Sequence, residues 1–132
     1  MVYERIFAQL ERLGVISLIR ENADAAKSQS SGYMDLHFDR LYETEGSVVI
    51  SLAHYFKQSG DLCCDPDMEI CVRPERKIAE ALTFQQAIPP IYQMVYPEAG
   101  QVNPGLKKSL NDFLLTWLRA CVAQGHQFPI RR

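Results

Sequence analysis

The stretch NPGLKKSLNDFLLTWLRACVAQG, residues 103–125, constrains the fold more than any other part of the chain. Asn103 carries the short polar side chain that caps a helix N-terminus, and Pro104 falls where a missing N–H leaves nothing unpaired. Leu106, Leu110, Phe113, Leu114, Trp117, Leu118, Cys121 and Val122 then recur as one apolar stripe, ended by Gly125. A helix from Pro104 to Gln124 is about 31 Å long at 1.5 Å per residue, enough to cover an entire small sheet. The rest of the chain has to supply an apolar surface of that length.

The preceding sequence supplies it in two forms. VYERIFAQLERLG places Ile6, Phe7, Leu10 and Leu13 on one helical face and stops at Gly14, a residue suited to a left-handed helix end. VISLI then fits a helical turn or a strand equally, and the small, polar RENADAAKSQSSG (20–32) reads as a surface loop. Beyond it the apolar period becomes two. In YMDLHFDRLYE, Met34, Leu36 and Phe38 alternate with Asp35, His37 and Asp39, the pattern of a half-buried strand. Gly46 makes a turn, and SVVISLAHYFK is apolar in both phases, which predicts a central strand. DMEICVR and IAEALTFQQ continue the alternation. IYQMVYP, after Pro89–Pro90, predicts a fifth strand at an edge.

Short connections favour antiparallel neighbours, and both helices need an apolar surface to cover. The expected fold is therefore α+β: a twisted antiparallel sheet of about five strands, with an N-terminal and a long C-terminal helix packed on one face. Residues 1–132 read as a single domain, long enough to bury roughly two-thirds of the unfolded surface. The other face of the sheet, with Val49, Ala53, Tyr55, Tyr92 and Tyr96 on some of the possible strand phases, is expected to be partly exposed or covered by a second chain.

Fourteen basic and sixteen acidic residues give a net charge of −2, without the basic footprint that nucleic-acid binding needs. No apolar run approaches the roughly eighteen residues that span a bilayer. Glu4, Arg5, Glu11 and Arg12 interrupt the apolar core that a signal peptide would have. A cytoplasmic protein without a membrane or nucleic-acid partner is expected. Cys63, Cys64, Cys71 and Cys121 lack the spacing of a disulfide framework, and adjacent cysteines on an extended chain point to opposite sides. They are expected to be thiols, three of them small buried hydrophobes.

The segment HYFKQSGDLCCDPDMEI, residues 54–70, concentrates the groups that could carry function: His54, Tyr55, Asp61, Asp65, Asp67 and Glu69 are the candidate binding residues. Acids spaced by two resemble the start of a calcium loop, but counting from Asp65 places Ile70 where glycine is required and Arg76 where glutamate is required. The calcium-loop reading fails, and a magnesium site, which needs only one or two carboxylates and a phosphate substrate, survives as a weak option. Asp67 with Glu75 and Lys77 imitates a nuclease arrangement, yet the two groups would lie about 25 Å apart along one strand at 3.3 Å per residue. The simpler reading is that Asp61 and Asp65 tie a turn by accepting backbone N–H bonds. His54 shares the phase of Ile50 and Leu52, so it reads as a core or rim histidine bonded to loop backbone. Cys63 or Cys64 would be its nearest thiol across the turn. No catalytic residue, metal or cofactor is expected. Lys107 and Lys108 read as the solvated face of the last helix, beside a basic terminal pair, Arg131–Arg132.

HYFKQSGDLCCDPDMEI together with NPGLKKSLNDFLLTWLRACVAQGH resembles a bacterial family of uncharacterised small proteins, often carried by plasmids and phages. Its words are His-Tyr, Gly-Asp, Asp-Pro-acid-Met, and a closing Leu-Asn-x-Phe…Trp-Leu helix, covering roughly residues 30 to 126. VRPERKIAEAL and the same closing helix also resemble a second uncharacterised family of chromosomal proteobacterial proteins. The resemblance implies no reaction. The expected function is that of a small non-catalytic binding protein acting on a partner protein: a protein of the host, or a second copy of the chain. A small metal-dependent hydrolase or nuclease centred on residues 54–69 is the alternative.

Overall fold

The computed structural model describes residues 1–129, so Arg131–Arg132 lie outside the described residues. The chain opens with α1 (Val2–Leu13) and α2 (Val15–Arg20). Gly14 joins them at φ +88, with its N–H directed to the carbonyls of Leu10 and Glu11. A Cβ at this position would stand 2.7 Å from the carbonyl oxygen of Phe128, so glycine is required twice over. VISLI is helical: Val15, Ile16, Leu18 and Ile19 are all buried, a spacing that a helical turn brings to one side.

Seven strands follow: β1 (Ala25–Ser28), β2 (Leu36–Thr44), β3 (Ser47–Gln58), β4 (Asp61–Arg73), β5 (Ile78–Ala81), β6 (Thr83–Gln86) and β7 (Ile91–Met94). They form a twisted, open antiparallel sheet in the order β1-β2-β3-β4-β6-β7, with β5 also paired to β4. The count exceeds the expected five for two physical reasons. Ala25–Ser28 lies in the stretch read as a loop; as an edge strand on β2 it needs no apolar alternation. IAEALTFQQ is two strands, because Leu82 interrupts it. The Leu82 N–H donates to the Glu69 carbonyl and its own carbonyl accepts from Val95 N–H.

The long α3 (Pro104–Ala123) begins as its sequence dictates, with the Asn103 side chain accepting from the Leu106 N–H at 3.1 Å. Its buried residues are Leu110, Asn111, Leu114, Leu115, Trp117, Leu118 and Cys121. Phe113, placed by periodicity in the stripe, is 41% exposed and sits at the stripe's margin, edge-on to Phe84. Asn111 was not anticipated. Its Oδ1 accepts from the Ala81 N–H at 2.8 Å and its Nδ2 donates to the Lys107 carbonyl at 2.8 Å. The helix thereby supplies an acceptor to a strand N–H that would otherwise be buried and unpaired.

One cluster of buried side chains unites the three helices with Leu36, Phe38, Val48, Ile50, Leu52, Met68, Ile70 and Val72 of the three longest strands. Strand alternation sends the residues between them to the opposite face. Val49, Ala53 and Cys71 are buried there, yet stand outside that cluster.

Candidate functional site

The opposite face is laid out by strand register. Asp39, Ser51 and Glu69 stand side by side on β2, β3 and β4. The next row across the sheet is His37, Ala53, Asp67, Gln85 and Tyr92. Beyond a register shift, Tyr55 sits opposite Cys64, with its ring edge-on to His37 at 5.0 Å. Tyr42 and Tyr92 rise from β2 and β7, 52% and 55% exposed. With Glu69, Leu82, Thr83, Met94 and Tyr96 they enclose a concavity of about 280 Å³.

Asp39, Asp67 and Glu69 are the carboxylates of these two rows. Among the described residues, none of Asp39, Asp67 and Glu69 enters an ion pair. Asp67 accepts from the Ser51 hydroxyl at 2.8 Å, but burial, with a smaller contribution from Asp39, still holds its carboxyl above the usual range. Burial and the neighbouring Asp67 raise Glu69 in the same way. The tyrosines respond to the same field. Burial and then Asp67 and Asp39 raise Tyr55, while burial and then Glu69 and Asp67 raise Tyr92.

A carboxyl raised in the folded state stabilises the fold while protonated, and that contribution is lost as pH rises through its folded value. At neutral pH Asp67 therefore works against folding. Asp67→Asn keeps an acceptor for Ser51 and removes the charge, so it should raise stability at pH 7 by about 0.5–1 kcal/mol. In acid, where the parent carboxyl is itself protonated, the gain should disappear. Thermal melts of both proteins at the two conditions check this.

The segment 54–69 is not a loop. Its turn is only Ser59–Gly60, both at positive φ, between the paired residues Gln58 and Asp61. Asp61 and Asp65 are exposed on β4 with no side-chain hydrogen bond among the described residues, so they do not tie the turn. Asp61→Ala is accordingly expected to change stability by less than about 0.5 kcal/mol in chemical denaturation. Of the six candidates, the structure brings together Tyr55, Asp67 and Glu69. Tyr92 and Tyr96, expected with Tyr55 on the face opposite the helices, join them, and so do Asp39, Ser51 and Tyr42, which were not singled out. Asp39 and Tyr42 lie in the alternating YMDLHFDRLYE, Ser51 in SVVISLAHYFK, and Tyr92 and Tyr96 in IYQMVYP.

His54 lies on the helix-covered side. It is buried, with Nδ1 2.9 Å from the Asp35 carbonyl oxygen and its ring edge-on to Trp117. This is the core histidine bonded to loop backbone that its phase predicts. Its nearby thiol is not Cys63 or Cys64 but Cys121, whose Sγ is 3.7 Å from Nε2. Burial pushes the Cys121 thiol up to about 12, so no thiolate nucleophile forms there. Only Cys71 and Cys121 are buried; Cys63 and Cys64 are half-buried, and all four are free. Lys107 is not merely solvated: it pairs with Glu80 at 3.7 Å and stands over the rings of Tyr3 and Tyr96. Lys108 pairs with Asp112 on the exposed side of α3. Among the described residues no group of three or more His, Cys, Asp or Glu could hold a metal ion. No described helix is long and apolar enough to cross a membrane.

The model of one family, Domain of unknown function (DUF6908), matches residues 3–127. Neither the curated proteins nor the solved structures contain a match to the chain. A match over nearly the whole described chain takes in both helical ends and the entire sheet, and by it the chain belongs to the DUF6908 family, a domain of unknown function.

Proposed function

We propose that the chain is a small non-catalytic binding protein of the cytoplasm that holds a partner protein against the sheet face opposite its helices. The observation that carries this reading is the make-up of that face: exposed tyrosines beside half-buried carboxylates that enter no ion pair among the described residues. Aromatic side chains left on a surface are the usual anchors of protein recognition. A contiguous patch of this kind usually marks a partner surface. The resemblance to proteins of plasmids and phages makes a host protein the expected partner, with a second copy of the chain as the other occupant of the same face.

No observation favours the hydrolase alternative. Asp61 and Asp65 point to no shared centre, and β4 separates Asp67 from Glu75, which lies in the turn beyond Arg73.

The test uses three baits in cells of the native host: the parent, Tyr55→Arg on the proposed face, and Arg12→Glu on the exposed side of α1. Circular dichroism confirms that each is folded. A protein retained by the parent and by Arg12→Glu, and lost from Tyr55→Arg, is the expected result. Equal retention by all three baits would contradict the reading.

A further inference from the structure

We propose that the concavity bounded by Tyr42, Tyr92, Met94 and Tyr96 is a receptor for one cationic side chain, a lysine or an arginine, presented by the partner protein. The inference rests on the protein-binding reading of this face and adds to it the chemistry of the partner.

The walls come first. Tyr42 reaches in from β2 and Tyr92 from β7, while Thr83 and Met94 are directly paired across β6 and β7. Tyrosine ring faces carry negative potential and attract cations. This fold already uses that attraction on one of these same rings: the Lys107 ammonium lies 5.4 Å from the centroid of Tyr96. Lys107 does not line the concavity, and its charge is spent on Glu80.

The floor supplies the charge. Glu69 is the acidic residue of the lining, and its side chain has no hydrogen-bond or ion-pair partner among the described residues. Its backbone is fixed on both sides, the N–H donating to Thr83 Oγ1 at 3.2 Å and the carbonyl accepting from the Leu82 N–H at 2.8 Å. Strand pairing thus fixes the backbone from which the carboxylate projects into the lining. A half-buried carboxylate without a cation is unfavourable in the free protein. A cation that entered would relieve that penalty and gain a charge-assisted hydrogen bond. Asp67, one strand position-pair away on the same face, adds to the negative potential without lining the cavity. An apolar side chain would fit the rings but leave Glu69 as it is. An anion would be repelled.

The test is a titration of isotope-labelled protein followed by amide chemical shifts. Three probes are used: N-acetyl-lysine methylamide, its arginine counterpart and the uncharged N-acetyl-norleucine methylamide. Ionic strength is held constant throughout. Saturable shifts at the amides of Glu69, Thr83 and Tyr92 are expected with the cationic probes and not with norleucine. The stronger of the two cations distinguishes ammonium from guanidinium. Glu69→Gln should weaken binding roughly tenfold, since it removes the charge from an otherwise similar hydrogen-bonding group. Tyr92→Phe, which keeps the ring face, should retain binding that Tyr92→Leu loses. The dispersion of the amide spectrum shows that each variant is folded.

No saturation at tens of millimolar of either cation, or an equal response to norleucine, overturns the receptor. If the baits above still lose their protein in Tyr55→Arg, the binding reading survives that failure. If the cationic probes bind but no bait loses a protein, the protein-binding reading fails and the cation is a small molecule instead. Light scattering of the parent and of Glu69→Gln covers the remaining occupant. A dimer dissolved by that substitution would assign the cation to a second copy and overturn a distinct partner.

Discussion

Trp117→Ala should lose about 3–5 kcal/mol of stability, the range for truncating a large aromatic in a core. Trp117 is only 8% exposed, in the C-terminal half of α3. Its ring stands edge-on to His54 at 5.4 Å and stacks with Phe113 at 6.5 Å. Of these two aromatic neighbours, His54 is bonded to the Asp35 carbonyl and Phe113 stands edge-on to Phe84. Domains of ordinary stability have roughly 5–15 kcal/mol in total, so the variant would sit near the limit of folding. Urea titration followed by circular dichroism measures the loss. A midpoint close to that of the parent would show that α3 is not anchored through this residue.

Asn111→Ala should also be damaging, to a smaller extent and for a different reason. The substitution removes few apolar contacts but deprives the Ala81 N–H of its acceptor inside the core. A buried donor left unpaired costs about 1–3 kcal/mol. The loss should have a local signature, because β5 is a four-residue strand that the helix holds at this point. Hydrogen exchange should therefore accelerate at Ala81 before it does at Ile50 or Ile70. Ser109→Ala, whose hydroxyl only returns to the Leu106 carbonyl on the exposed side of the same helix, should leave both stability and exchange close to the parent values. Equal exchange at Ala81 in Asn111→Ala and parent would mean that the amide finds another partner.

The helices were legible in the sequence because their signals are local. Gly14, Asn103 and Pro104 act within one turn, and the apolar spacing of each helix is contained in its own segment. The central strands were legible for the same reason, since alternation in β2 and β3 is a property of each run alone. What was lost depended on partners distant in sequence. Ala25–Ser28 has no strand signal of its own and exists as a strand because β2 offers it an edge. Asn111 looks like an interruption of the α3 stripe until Ala81 is placed beside it, thirty residues away in the chain.

The candidate site divides in the same way. Tyr55, Asp67 and Glu69 were found because they are close in sequence to one another. Asp61 and Asp65 were included on the same ground, but they occupy a hairpin end that the Ser59–Gly60 backbone turns without them. Asp39 and Tyr42 join the site only through the pairing of β2 with β3, whereas the strand phase of IYQMVYP already offered Tyr92 and Tyr96 to that face. The helical spacing of Cys121 predicted its burial, but not that a histidine from β3 would lie against it.

The account turns on which side of the molecule meets its partner, and photo-crosslinking in host cells reads that directly. A photoreactive amino acid is placed in turn at Tyr92, Tyr42 and Leu62 on the sheet side, and at Glu4, Arg12 and Arg119 on the helices. Discrete adducts with one protein from Tyr92 and Tyr42, absent from the helical positions, are the predicted result. Adducts confined to Glu4, Arg12 or Arg119 would contradict the account and move the binding surface to the helices.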